Sequence, residues 1–191
     1  MKKIISVLLC MVLVCSMGFT VLAQSDDAGV HYMTDYENLG ELFEDLEKES
    51  FQALDDATKE ALYSTSIEAV LSSEATEGNS IEPRSETVTF TCTLSTTALL
   101  KGRLTYKAKA SATSTATSIT ISGIVYDASG KIVDTKTQTE NSVTSSSLSR
   151  TVTGLTSGVQ HRVYVTYTGK FPSGVTPSSS TKTRTAYVDV K

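Results

Sequence analysis

Thr87-Val88-Thr89-Phe90-Thr91-Cys92-Thr93-Leu94, residues 87–94, alternates one polar with one apolar residue without a break. Successive side chains of a strand point to opposite faces, so Val88, Phe90, Cys92 and Leu94 share an inward face and the threonines lie outside. Toward the C-terminus the same period recurs. Leu104, Tyr106, Ala108, Ala110 and Ala112 define a second strand, whose small inward residues let another sheet approach closely. Ile119 and Ile121, then Ile124 and Tyr126, form a third whose parity changes at Gly123, and a bulge there is expected to return all four to one face. Asp127-Ala128-Ser129-Gly130 has the length of a hairpin turn, with Gly130 able to take positive φ.

Residues 131–138 read as the returning strand, and Leu148, Val152 and Leu155 mark the next strand and its exit. His161, Val163, Val165 and Tyr167 share a face, a loop with Gly169, Pro172, Gly174 and Pro177 follows, and Ala186, Val188 and Val190 complete the pattern. Residues 86–191 hold 24 threonines and 16 serines. Such a composition also suits a disordered stalk, but threonine interleaved with valine, isoleucine and tyrosine favours half-buried strands. Seven short strands with turn signals between them predict a mainly β fold, a seven-stranded antiparallel β-sandwich over residues 87–191.

Leu155-Thr156-Ser157-Gly158-Val159-Gln160-His161-Arg162-Val163-Tyr164-Val165 resembles the fibronectin type III pattern, in which a leucine, a turn and an aromatic residue introduce the alternating penultimate strand. The resemblance implies an immunoglobulin-like sandwich. His161 stands where that family usually has a tyrosine, and the chain has no tryptophan for the early strand. Such sandwiches host many functions, so the resemblance carries none by itself.

The N-terminus runs from Lys2 and Lys3 through an apolar stretch, residues 4–14, to Val21-Leu22-Ala23, the layout of a secretory signal peptide cleaved after Ala23. An uncleaved membrane anchor competes, but Ser6, Cys10, Cys15, Ser16, Gly18 and Thr20 interrupt the run. With residues 1–23 removed, the chain is expected to be secreted or extracellular, without a membrane span, and Cys92 is its one cysteine. Its alternating neighbours make it a small inward hydrophobe rather than a reactive thiol.

Charge divides the mature chain. Residues 24–85 carry a net −13 and residues 86–191 a net +7, within an overall −4. The acidic part, residues 24–71, reads as helical: Thr34 and Glu37 form a possible capping box, Leu39, Leu42, Phe43 and Leu46 recur at helical spacing, and a second stretch starts near Asp55 or Asp56. Helices this short are marginal without tertiary contacts. Residues 72–86, with Gly78, Asn79 and Pro83, read as a linker.

Catalytic signatures are thin. His31 and His161 lie in different halves, and neither a His-Glu-x-x-His helix, a Gly-x-Ser-x-Gly elbow nor a phosphate-binding glycine loop is present. No enzyme, cofactor or metal is expected. His161 suits a corner residue bonded to backbone better than a base. Arg103, Lys107 and Lys109 share the outward parity of the second strand and form a cationic stripe. Read plainly it is a solvated sheet face; read functionally it is an anion-binding surface for a glycan, a wall polymer, a surface protein or the chain's own acidic segment. Nucleic acid is not expected, because the interleaved side chains are threonines rather than stacking aromatics. The expected function is a secreted, non-enzymatic binding or adhesion module, and the alternative is a structural subunit of an extracellular surface assembly.

Overall fold

The computed structural model describes residues 29–74, 88–99 and 101–191. The expected signal peptide and most of the expected linker lie outside the described residues.

Among the described residues five antiparallel strands form one sheet: β1 (Phe90–Leu99), β2 (Arg103–Asp127), β3 (Ile132–Val152), β4 (Gln160–Lys170) and β5 (Ser179–Asp189). The fold is mainly β, with short helices preceding the sheet, and the expected seven strands are replaced by five. β2 runs 25 residues and β3 runs 21, each joining two of the expected strands. The residues between them, 111–118, are serine, threonine and alanine with no glycine or proline, so the chain stays extended as it bends. At the bend the register slips between Ser111 and Ala116, and Ser142 of β3 takes φ 56°.

These bends curl the sheet. Residues 103–112 of β2 lie between β1 and the second half of β3, whereas residues 118–127 lie between β4 and the first half of β3. β1 therefore faces β4 across an apolar interior. The Tyr167 hydroxyl donates to the Thr93 carbonyl at 2.8 Å, and Phe90 meets Phe171 edge-on with centroids 6.0 Å apart. Val88, Phe90, Cys92, Leu104, Tyr106, Ile119, Ile121, Val163, Val165 and Tyr167 belong to this first core.

No bulge forms at Gly123. β2 pairs regularly with β4 from Ser118 to Asp127, so the parity change is real. Ile119 and Ile121 face the first core, while Ile124 and Tyr126 point out of the opposite face and are equally buried. There they join Tyr164, Met33, Leu39, Leu42, Phe43, Leu62, Ile67 and Val70 in a second core. Gly123 is needed for its size: a Cβ would stand 2.9 Å from the Tyr106 hydroxyl and 3.2 Å from its ring.

The second core is closed by four helices, α1 (Leu39–Leu46), α2 (Lys48–Gln52), α3 (Asp56–Tyr63) and α4 (Ile67–Ser72). Thr34 caps none of them. It sits in a 3-10 turn, Met33–Asp35, held where the Met33 N–H donates to the Gly130 carbonyl at 2.7 Å. Asn38 caps α1 instead, accepting from the Glu41 N–H at 3.0 Å, while the Glu41 carboxylate accepts from the Glu37 N–H at 3.0 Å. Asp55 caps α3 and Ser66 caps α4 in the same way. Among the described residues no helix is long and apolar enough to cross a membrane.

Candidate anion-binding face

The three cations proposed from sequence all project from the first half of β2. Leu104, Tyr106, Ala108 and Ala110 are fully buried toward the first core, so Arg103, Lys107 and Lys109 are turned outward and exposed. Lys107 and Lys109 lie about 7 Å apart along the strand, and Arg103 about 13 Å beyond Lys107. The helices cover the other outer face of the curled sheet, above Ile124, Tyr126 and Tyr164. The cationic file and the acidic helices therefore occupy opposite sides of the protein.

Strand register supplies neighbours that sequence periodicity could not. Lys107 stands directly between Ser95 of β1 and Ser149 of β3, and Lys109 between Thr93 and Ser147. Thr105 stands between Thr97 and Thr151, with a 2.8 Å bond joining the Thr105 and Thr151 hydroxyls. Directly opposed residues have Cβ atoms about 5 Å apart, so each lysine is flanked by two hydroxyl residues. Hydroxyl residues thus border Thr105, Lys107 and Lys109 on each side, whereas Arg103 pairs with Leu99 of β1. Residues 90–99, 103–112 and 143–152 contain no aspartate or glutamate.

The opposite arrangement holds beneath the helices. Lys136 lies 3.9 Å from Glu47, and Lys170 lies 3.6 Å from Asp55. Burial alone would raise the Asp55 carboxyl, but bonds from the Thr58 backbone and hydroxyl together with Lys170 hold it below its ordinary value. The Arg162 guanidinium donates to the Leu71 carbonyl at 2.7 Å and lies 4.9 Å from the Tyr187 ring centroid. Arg150, of inward parity, grips Asp134 through three bonds of 2.8–3.2 Å between the two arms of β3. Among the described residues, Arg103, Lys107 and Lys109 have no carboxylate within 4.0 Å.

The other chemically suggestive residues lie apart from this face: Cys92 and His161 are buried, and His31 belongs to the helical part. Cys92 is 2 % exposed, and burial pushes its thiol up to about 12. His161 is 2 % exposed with Nδ1 3.0 Å from the Val159 carbonyl, a backbone bond at the turn into β4. His31 lies in the helical part, where its Nδ1 is 2.8 Å from the Tyr36 hydroxyl, which donates to Asp45 at 2.7 Å. Among the described residues no group of three or more His, Cys, Asp or Glu side chains is arranged to hold a metal ion.

No family model matches the chain. No curated protein matches it either. Among solved structures, the β-glucuronidase of Parabacteroides merdae is similar over 54 % of this chain and 14 % of that one, with 17 % identity and a TM-score of 0.36. A second structure of that enzyme, with glycerol in its active site, gives 19 % identity and a TM-score of 0.35 over 54 % of this chain and 13 % of that one. The chain thus spans a small part of those enzymes.

Proposed function

We propose that the protein is an exported, non-enzymatic binding module that holds an anionic surface polymer on the face carrying Arg103, Lys107 and Lys109. One observation carries the reading: three exposed cations lie in a file on strand segments that hold no aspartate or glutamate, and hydroxyl residues flank Lys107 and Lys109 on both sides. A solvated face kept only for solubility needs both signs interspersed, whereas a face of one sign attracts a partner of the other.

The finer fold belongs to the same proposal. Counting each arm of β2 and β3 separately gives seven segments, three in one layer (β1 with residues 103–112 and 143–152) and four in the other. That pairing supports a fibronectin type III-like sandwich in which two pairs of successive strands remain continuous. A structural subunit of a surface assembly is the second reading, favoured because β3 pairs with β2 alone among the described residues.

The test is retention of the purified protein on native cell envelope and on immobilised polyanions from about 50 to 500 mM salt. Retention is expected at the low end and release at the high end. Equal retention of Arg103→Gln/Lys107→Gln/Lys109→Gln and the unsubstituted protein would overturn the proposal. Concentration-dependent oligomers without polymer retention would favour the second reading.

A further inference from the structure

We infer that the polymer is a linear polyol phosphate, lying along β2 with its phosphodiesters on Lys109, Lys107 and Arg103 and its free hydroxyls against the flanking strands; this rests on the anion-binding reading above. Three features of the face point to it.

The first is direction. Arg103, Lys107 and Lys109 follow one strand, while the hydroxyl residues Thr93, Ser95 and Thr97 follow β1 and Ser147, Ser149 and Thr151 follow β3. A ligand that satisfies all three files is a chain with charge along its axis and hydroxyls at its sides. A globular acidic protein or an isolated anion would use one file and leave the others idle.

The second is spacing. Lys107 and Lys109 are separated by six covalent bonds of extended backbone, about 7 Å. A 1,3-linked glycerol phosphate also has six bonds from one phosphorus to the next, two P–O, two O–C and two C–C, and reaches a similar length when extended. The charges of strand and polymer then stay in step. Arg103 falls two such repeats beyond Lys107, opposite the fourth phosphate, while Thr105 faces the third.

The third is chemistry. In each lysine row, Ser95-Lys107-Ser149 and Thr93-Lys109-Ser147, the lysine stands between two hydroxyl residues. The ammonium binds the phosphate oxygens, and the hydroxyls can donate to those oxygens or exchange bonds with the polyol. No aromatic residue occurs at an outward position of this face, so stacking on sugar rings plays no part.

The experiment is calorimetric titration of the purified protein with three probes: 1,3-linked glycerol phosphate oligomers of graded length, inorganic polyphosphate and polygalacturonate. Glycerol phosphate is expected to bind tightest, with affinity rising until the oligomer spans about 20 Å, the length from Arg103 to Lys109, and levelling off beyond. Its log affinity should fall with log salt at a slope of about −2 for three contacts, and of about −0.7 in Lys107→Gln/Lys109→Gln. Ser95→Ala/Ser149→Ala should weaken glycerol phosphate about threefold or more and polyphosphate by clearly less, because both lose donors to their phosphate oxygens but only the former also loses partners for its hydroxyls. These residues are exposed, and an unaltered melting temperature verifies the fold of each variant. If polygalacturonate binds as tightly, or the serine variant binds glycerol phosphate normally, the polyol phosphate assignment is wrong while the anionic face stands. If no probe binds even at low salt, both fall.

Discussion

Ile124→Ala tests the claim that β2 builds two cores on its two faces. Ile124 is fully buried among residues from the helices, Tyr126 and Tyr164. Removing three carbons forfeits about 0.8 kcal/mol each, roughly 2.4 kcal/mol of transfer free energy. The space left behind, on the order of 60 Å³ after partial collapse, adds about 1.4 kcal/mol at roughly 24 cal/mol per Å³. The expected loss is therefore about 3–4 kcal/mol, measured by urea unfolding at fixed m-value. Ile121→Ala should cost a similar amount from the first core, so the single losses do not distinguish the two faces. Coupling to a helix residue does. Phe43 of α1 shares the second core with Ile124 and has no place in the first. Ile124→Ala and Phe43→Ala should couple by about 0.5–3 kcal/mol, whereas Ile121→Ala and Phe43→Ala should add within about 0.5 kcal/mol. Additivity of Phe43→Ala with both Ile124→Ala and Ile121→Ala would place Ile124 inside the curl beside Ile121, as a bulge at Gly123 requires, and refute the two-core account.

Gly123→Ala should cost about 1–3 kcal/mol by thermal or urea melts, because its Cβ would meet the Tyr106 hydroxyl and ring. Tyr106→Phe removes a buried hydroxyl that has no hydrogen-bond partner among the described residues, so stability should hold or rise, by up to about 1 kcal/mol, and part of the Gly123→Ala loss should be recovered in the double variant. Asp55 has a lowered carboxyl pKa, so its contribution is present above the unfolded value near 3.9 and is lost as pH falls through the folded value. Asp55→Asn, which keeps the helix cap, should flatten the stability profile below about pH 4 relative to the unsubstituted protein. Cys92 should resist thiol reagents at pH 8 in the folded state, and its labelling rate should rise with urea in step with unfolding.

Parity along a strand is a local property, and it was legible. The alternation at residues 87–94 placed Val88, Phe90 and Cys92 inward, and the same period put Arg103, Lys107 and Lys109 outward; all six are found so. The Asp127–Gly130 turn was also readable, with the Gly130 N–H donating to the Asp127 carbonyl at 3.0 Å and Gly130 at φ 84°. Asp55 as the start of a helix was visible because an acceptor side chain before an apolar period is a local signal. Thr34 was misassigned because Asn38 and Glu41 repeat the same three-residue offset, and the choice between them depends on Gly130, nearly a hundred residues away.

What the amino-acid order determined alone is the strand character of residues 88–191, the helical character of the acidic part, and the outward direction of the three cations, since each follows from spacing over a few neighbouring residues. Only the tertiary structure decided that two pairs of expected strands are continuous, that Ile124 and Tyr126 serve a second core, and that serine and threonine hydroxyls border Lys107 and Lys109. Each of those depends on which distant segment lies beside or above the strand, and a strand with both faces covered loses the single-sided pattern by which sequence reveals its partner.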